Sequence, residues 1–202
     1  SMGYRTVIVI PETQSQEKKD MIRLCGAELV QVPAVPYKNP NNYVKYSGRL
    51  AERLAQSDPN GAIWANQFDN VANKQAHVET TGPEIWEQTE GRITHYVCCA
   101  GTGGTLSGTA RYLKEQNPAI RIIGVDAYGS VLKKYWETGV FDKNEIYSYK
   151  VEGLGKTIIP DNVDFDIIDD FIKVTDRNSA LRARALARKE GLLVGYSSGS
   201  AM

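Results

Sequence analysis

Short runs of β-branched and aliphatic residues alternate along this chain with longer stretches of helical period, and that alternation restricts the fold more than any other feature. Residues 6–10, 28–32, 62–65, 95–100, 121–126, 171–174 and 192–194 read as strands. Residues 15–24, 42–55, 80–89, 106–116 and 179–190 read as helices, with Gly26 and Gly191 closing the first and last of them. Strand and helix in alternation predict an α/β fold, with parallel sheets carrying helices on both faces. Residues 127–165 are rich in glycine, tyrosine and turn formers and are expected to loop around a surface site, and a further helix is expected to open at Gly199-Ser200. Both ends read as cut, because a buried parallel strand at 6–10 needs neighbours before it. The expectation is therefore a fragment.

At 202 residues the chain can fill one or two domains, and 24 basic against 24 acidic side chains give no general attraction for nucleic acid. No apolar run approaches the ~18 residues of a membrane span, and the start has no signal-peptide core. Cys25, Cys98 and Cys99 form neither a disulfide framework nor a CxxC pair, so a reducing, cytoplasmic setting and three small core residues are expected. His77 and His95 share no ligand spacing with them, so no metal site is expected. His77 is expected to face solvent or cap a helix, and His95 to lie at a strand edge. Arg182, Arg184, Arg188 and Lys189 read as the wet face of a helix.

The sharpest local motif is Gly101-Thr102-Gly103-Gly104-Thr105, set between a strand and a helix. Glycines there let amide N–H groups converge at the positive end of the helix while the threonines add hydroxyls, a donor set suited to a phosphate; a ligand-free tight turn is the plain alternative. The motif lacks the Lys-Ser/Thr of a nucleotide P-loop. A dinucleotide fold would explain Asp126 at the end of the next strand, but its third glycine should stand where Leu106 does. Two more glycine-rich turns, 152–155 and 195–200, also border strands, and the latter reads as an anion nest or a helix cap. Ligands of such sheets bind beyond the carboxyl ends of the strands.

With these motifs in place, the chain resembles the cysteine synthase and cystathionine β-synthase family of fold-type II pyridoxal-phosphate (PLP) enzymes. The resemblance is carried by the 101–105 turn and by Ile10-Pro11-Glu12, Gly26-Ala27-Glu28, Asn66-Gln67-Phe68-Asp69-Asn70, Thr80-Thr81-Gly82-Pro83-Glu84-Ile85-Trp86, Ile123-Gly124-Val125-Asp126, Glu152-Gly153-Leu154-Gly155 and Glu190-Gly191-Leu192-Leu193. Residues 3–90 look more like cysteine synthases and 120–175 more like cystathionine β-synthases.

The resemblance implies a two-domain fold, with residues 3–91 in the smaller domain and 92–202 in the larger, both incomplete. It implies that Gly101, Thr102, Gly103, Gly104 and Thr105 hold the phosphate of pyridoxal 5'-phosphate and that Ser197 meets the pyridine nitrogen. Gln67 would lie near the substrate carboxylate and Gly153 in the loop lining the amino-acid pocket. The implied activity is β-replacement on serine or O-acetylserine, giving cysteine with sulfide or cystathionine with homocysteine, in a homodimer. The family's Schiff-base lysine matches none of the lysines here, so no catalytic residue is assigned and the chain by itself is expected to be inactive. Lys156 reads as a surface lysine or a second-substrate contact. Tyr128, Tyr135, Trp136, Tyr147 and Tyr149 read as a packed loop layer or as a subunit contact or cleft wall. A non-catalytic phosphate-binding or regulatory module and an NAD-dependent dehydrogenase domain are the other readings.

Overall fold

A computed structural model describes residues 3–202, which divide into two compact units between Asn66 and Gln67. In the first, β1 (Val7–Pro11) and β2 (Glu28–Val32) pair in parallel around α1 (Gln16–Leu24), and α2 (Tyr43–Ser57) follows. Both helices start where a side chain satisfies an otherwise orphaned amide. Ser15 Oγ accepts from Lys18 N–H, and Asn42 Oδ1 accepts from Val44 N–H while its amide donates to the Val35 carbonyl. Residues 62–65 do not form the expected strand. They join no ladder among the described residues, and Trp64 instead donates its indole N–H to Ser47 Oγ of α2, its ring 3.4 Å from where a Cβ on Gly48 would stand.

The second unit opens with α3 (Ala72–Glu79) and α4 (Thr81–Gln88), which precede β3 (His95–Cys99), α5 (Gly104–Gln116) and β4 (Arg121–Ala127). After these come α6 (Leu132–Thr138), two single 3₁₀ turns, β5 (Asp170–Val174), α7 (Asp176–Glu190) and α8 (Tyr196–Ala201). The strands form one parallel sheet in the order β3-β4-β5. Side chains alternate across it. Tyr96, Cys98, Ile122 and Phe171 join the core built with Leu106, Ala110, Leu113 and Leu132 from α5 and α6. Val97, Ile123 and Ile172 point the other way, into a cavity of about 620 Å³ that they share with Leu181 and Ala185 of α7. Gly124 makes room for Phe171, its register partner, whose ring lies 2.9 Å from where a Cβ would sit. Helices cover both faces of this sheet, as the alternation predicted.

Three further expectations fail. Residues 192–194 pair with nothing among the described residues, and Leu193 is 94% exposed. The last helix starts at Tyr196, ahead of Gly199-Ser200, because Gly195 is its cap and Gly199 lies inside it, where a Cβ would meet Ala183 N at 2.6 Å. Cys25 is not core: it is exposed at the end of α1. Cys98 and Cys99 do divide between opposite faces, packing on separate hydrophobic clusters. Burial raises both thiols, Cys99 to about 12.

One carboxylate ties α5 to the sheet. Asp169 accepts from Ile122 N–H at 2.7 Å and pairs with Lys114 of α5 at 2.8 Å. Desolvation pulls its pKa up, but the Lys114 and Ile122 bonds more than offset that and hold it below the usual carboxylate range. A depressed folded-state pKa means stability present above the unfolded value and lost as pH falls through the folded one. We therefore expect Asp169→Asn to lower unfolding free energy by about 1–3 kcal/mol at pH 7, with the gap to wild type closing as urea titrations are moved to acid pH; a gap independent of pH contradicts this. We also expect iodoacetamide to label Cys25 well before Cys98 or Cys99, as read by peptide mass spectrometry.

Candidate functional site

The carboxyl end of β3 delivers the glycine–threonine turn. Gly103 is the cap of α5, at φ +90°, a backbone that side chains rarely adopt, and it offers no side-chain cap for the first amides of the helix. Gly104 N–H reaches Thr102 Oγ1 at 3.3 Å, and the amides after it sit at a helix N-terminus with no side-chain acceptor, the arrangement that suits an anion. The glycines are fixed as much by packing as by conformation. A Cβ at Gly101 would stand 2.6 Å from the Gly153 carbonyl, one at Gly103 would overlap Val163, and one at Gly104 would overlap the Asn73 amide.

The segment before α3 is held against this turn through its main chain. Asn162, fully buried, donates its amide to the carbonyls of Gln67 (3.1 Å), Phe68 (2.8 Å) and Asn70 (3.1 Å) and accepts from Lys74 N–H at 3.2 Å. Asn73 donates to the Gln67 carbonyl at 2.8 Å and to Thr102 Oγ1 at 3.1 Å. Gln67 thus stands one shared amide from Thr102. Gly153, at φ +93°, lies on the other side of the turn, where Gly155 N–H donates to the Ala100 carbonyl at 2.7 Å. Ser197 is brought in from α8, its carbonyl accepting from Cys99 Sγ at 3.3 Å, two positions before Gly101. All eight residues singled out in the sequence gather at one end of one sheet.

Others were missed or misread. His77 neither faces solvent freely nor caps a helix: it is half-buried, with Nδ1 2.8 Å from Thr81 Oγ1 and Nε2 3.1 Å from Thr105 Oγ1. Asn73 and Asn162 carried no signal as single residues, although Asn73 and His77 stand four apart, on one face of a helix. Lys156 is half-buried, its Nζ 5.1 Å from the ring centroid of the buried Phe68. Of the aromatic group, Tyr135 packs on Phe165 and Trp136 on Phe171, and Tyr149 donates to the Leu154 carbonyl, while Tyr128 and Tyr147 are exposed.

Asp126 is fully buried and spends its oxygens on Ala127 N–H (2.9 Å) and on Lys133 N–H (3.0 Å) in the first turn of α6. Burial raises its pKa, with the Ser130 hydroxyl and these amides pulling back. It has no free edge to offer a ribose, so the feature that motivated a dinucleotide is accounted for structurally.

The profile of the family described as "Pyridoxal-phosphate dependent enzyme" matches residues 1–202. The chain belongs to that family. It is 44% identical over 201 residues to "Cysteine synthase 1" of Neurospora crassa, covering 98% of this chain and 52% of the relative. It is 42% identical to "Cystathionine beta-synthase" of Oryctolagus cuniculus, covering 99% and 35%, and 40% identical to that of Saccharomyces cerevisiae, covering 98% and 39%. The chain thus spans between about a third and a half of these relatives. Among the described residues no helix is long and apolar enough to cross a membrane, and no cluster of His, Cys, Asp and Glu could hold a metal.

Because Asn162 bonds to three carbonyls of the 67–70 segment, Asn162→Leu should cost on the order of 2–4 kcal/mol. It should also raise amide hydrogen exchange at 67–74 while leaving β4 protected. Unchanged exchange there would show that the segment holds itself.

Proposed function

We propose that the parent of this chain is a PLP-dependent β-replacement enzyme and that the 101–105 turn grips the phosphate of its cofactor. The observation that carries the reading is a threonine-flanked helix N-terminus whose cap glycine brings no side chain of its own to the amides, in a chain of the PLP family. The donor set fits a phosphate dianion: two hydroxyls, the α5 amides after Gly104 and no carboxylate in the turn. Bound PLP would supply the electron sink that acidifies the substrate Cα and lets the β-substituent leave. Ser197 would offer the ring nitrogen a neutral hydroxyl, which leaves that nitrogen unprotonated and the sink moderate. Moderate withdrawal suits exchange at Cβ over transamination.

Gln67 and Gly153, on the two segments flanking the turn, would receive the amino-acid substrate, and the Schiff-base lysine would come from outside these 202 residues. Serine or O-acetylserine as first substrate, and sulfide or homocysteine as nucleophile, belong to this proposal. So do a homodimeric parent, a cytoplasmic setting and the division into domains at 91/92. The support for these finer points is the resemblance to the two groups of named relatives.

The test is the full-length parent, purified with and without added PLP. We expect a visible cofactor band and cysteine or cystathionine formation; the absence of both contradicts the reading, whereas saturable NAD binding supports the dehydrogenase alternative. We further expect Ser197→Asp to slow β-replacement by at least tenfold with cofactor content retained, since a carboxylate would favour a protonated ring nitrogen. An unaltered rate removes Ser197 from that role.

A further inference from the structure

Two glycines four residues apart on α5 let α3 lie directly against it. A Cβ at Gly104 would overlap Asn73, and one at Gly108 would overlap the Lys74 carbonyl and stand 2.7 Å from the His77 Cβ. Asn73 and His77 are themselves four apart, so the two side chains meet the turn side by side. Each takes one threonine of the turn: Asn73 donates to Thr102 Oγ1 at 3.1 Å, and His77 Nε2 lies 3.1 Å from Thr105 Oγ1.

The hydroxyl of Thr102 is already committed as an acceptor. Its oxygen takes the Asn73 amide and, at 3.3 Å, the Gly104 N–H, so both lone pairs are used and its proton is left to be donated. Thr105 has no such constraint except the one His77 imposes. If Nε2 is bare, the Thr105 proton goes to the imidazole and oxygen lone pairs face the turn. If Nε2 carries hydrogen, Thr105 accepts from it and its own proton is released. The second arrangement requires Nδ1 to accept, and the Thr81 hydroxyl, 2.8 Å away at the first position of α4, can supply that proton.

We infer that His77 is a positioning residue for the phosphate: with Nδ1 accepting from Thr81, its Nε2–H turns the Thr105 hydroxyl into a donor aimed at the anion. The relay runs Thr81 O–H to Nδ1, then Nε2–H to Thr105 Oγ1, then Thr105 O–H to a phosphate oxygen. No net charge moves. Together with Asn73 it makes both threonines of the turn donors, so the α3 face sets the polarity of the site without touching the ligand. The inference rests on the phosphate reading of 101–105 given above.

The test uses the full-length apoprotein and compares equilibrium affinity for PLP with that for pyridoxal, which lacks the phosphate. We expect His77→Ala to weaken PLP about tenfold, the scale of one hydrogen bond to a charged group, while pyridoxal changes less than twofold. His77→Gln, whose amide can donate to Thr105 and accept from Thr81, should recover most of the loss. Thr81→Val, remote from the ligand, should weaken PLP two- to threefold by removing the donor to Nδ1. In a Thr105→Ala background, His77→Ala should add nothing. Equal losses for PLP and pyridoxal, unchanged PLP affinity, or additive effects of His77→Ala and Thr105→Ala each overturn the relay. Wild-type protein that binds pyridoxal as tightly as PLP fails differently: it removes the phosphate site itself, and the relay with it.

Discussion

The backbone contact between α3 and α5 is the constraint on which the rest of the site depends. Helices with ordinary side chains meet through those side chains, whereas α3 sets its own atoms against the α5 backbone because Gly104 and Gly108 present no Cβ where Asn73, Lys74 and His77 arrive. Gly82 continues the same seam on α4, where a Cβ would stand 2.6 Å from the Tyr112 Cβ. Glycine inside a helix costs roughly 0.5–1 kcal/mol relative to alanine. Here that local loss is exchanged for polar side chains set directly on the turn, a placement that longer residues on α5 would prevent.

From that contact the geometry spreads in both directions. Toward the chain start, Asn73 and Asn162 share the Gln67 carbonyl and draw the 67–70 segment onto the turn. Toward the chain end, Gly155 bonds to Ala100 and the Cys99 thiol to the Ser197 carbonyl, so the 153–155 loop and α8 reach the same strand end. The sheet supplies the common origin, because every parallel strand points its carboxyl end the same way. Its core of Leu106, Ile122 and Phe171 keeps that origin rigid.

What could be read from the sequence followed the reach of each physical signal. The runs at 28–32 and 121–126, the helix starts at 15 and 42 and the closing glycine Gly191 are local, and the structure shows them at those positions or within a residue. The turn at 101–105 was legible because glycine spacing between a strand and a helix has few uses. By contrast, α3 was invisible: its inward residues are Asn73, Lys74 and His77, so it carries no apolar stripe to detect. The runs at 62–65 and 192–194 have strand composition but no ladder partner among the described residues, and pairing is a non-local property that composition cannot report. Cys25 failed for the opposite reason: thiols are usually buried, and nothing local announces an exposed helix end. Asn162 lies more than ninety residues from the segment it holds, too far for any spacing rule.

The way Asn162 grips that segment has an evolutionary corollary. Its NH2 group meets only carbonyl oxygens, which every residue possesses, so this hold on Gln67, Phe68 and Asn70 does not itself depend on their side chains. At Gln67 identity and trajectory are thereby separated: a replacement there changes what the segment displays while this anchor stays put. A lineage built on such an anchor can diverge in chemistry by small steps without first having to relearn how to fold.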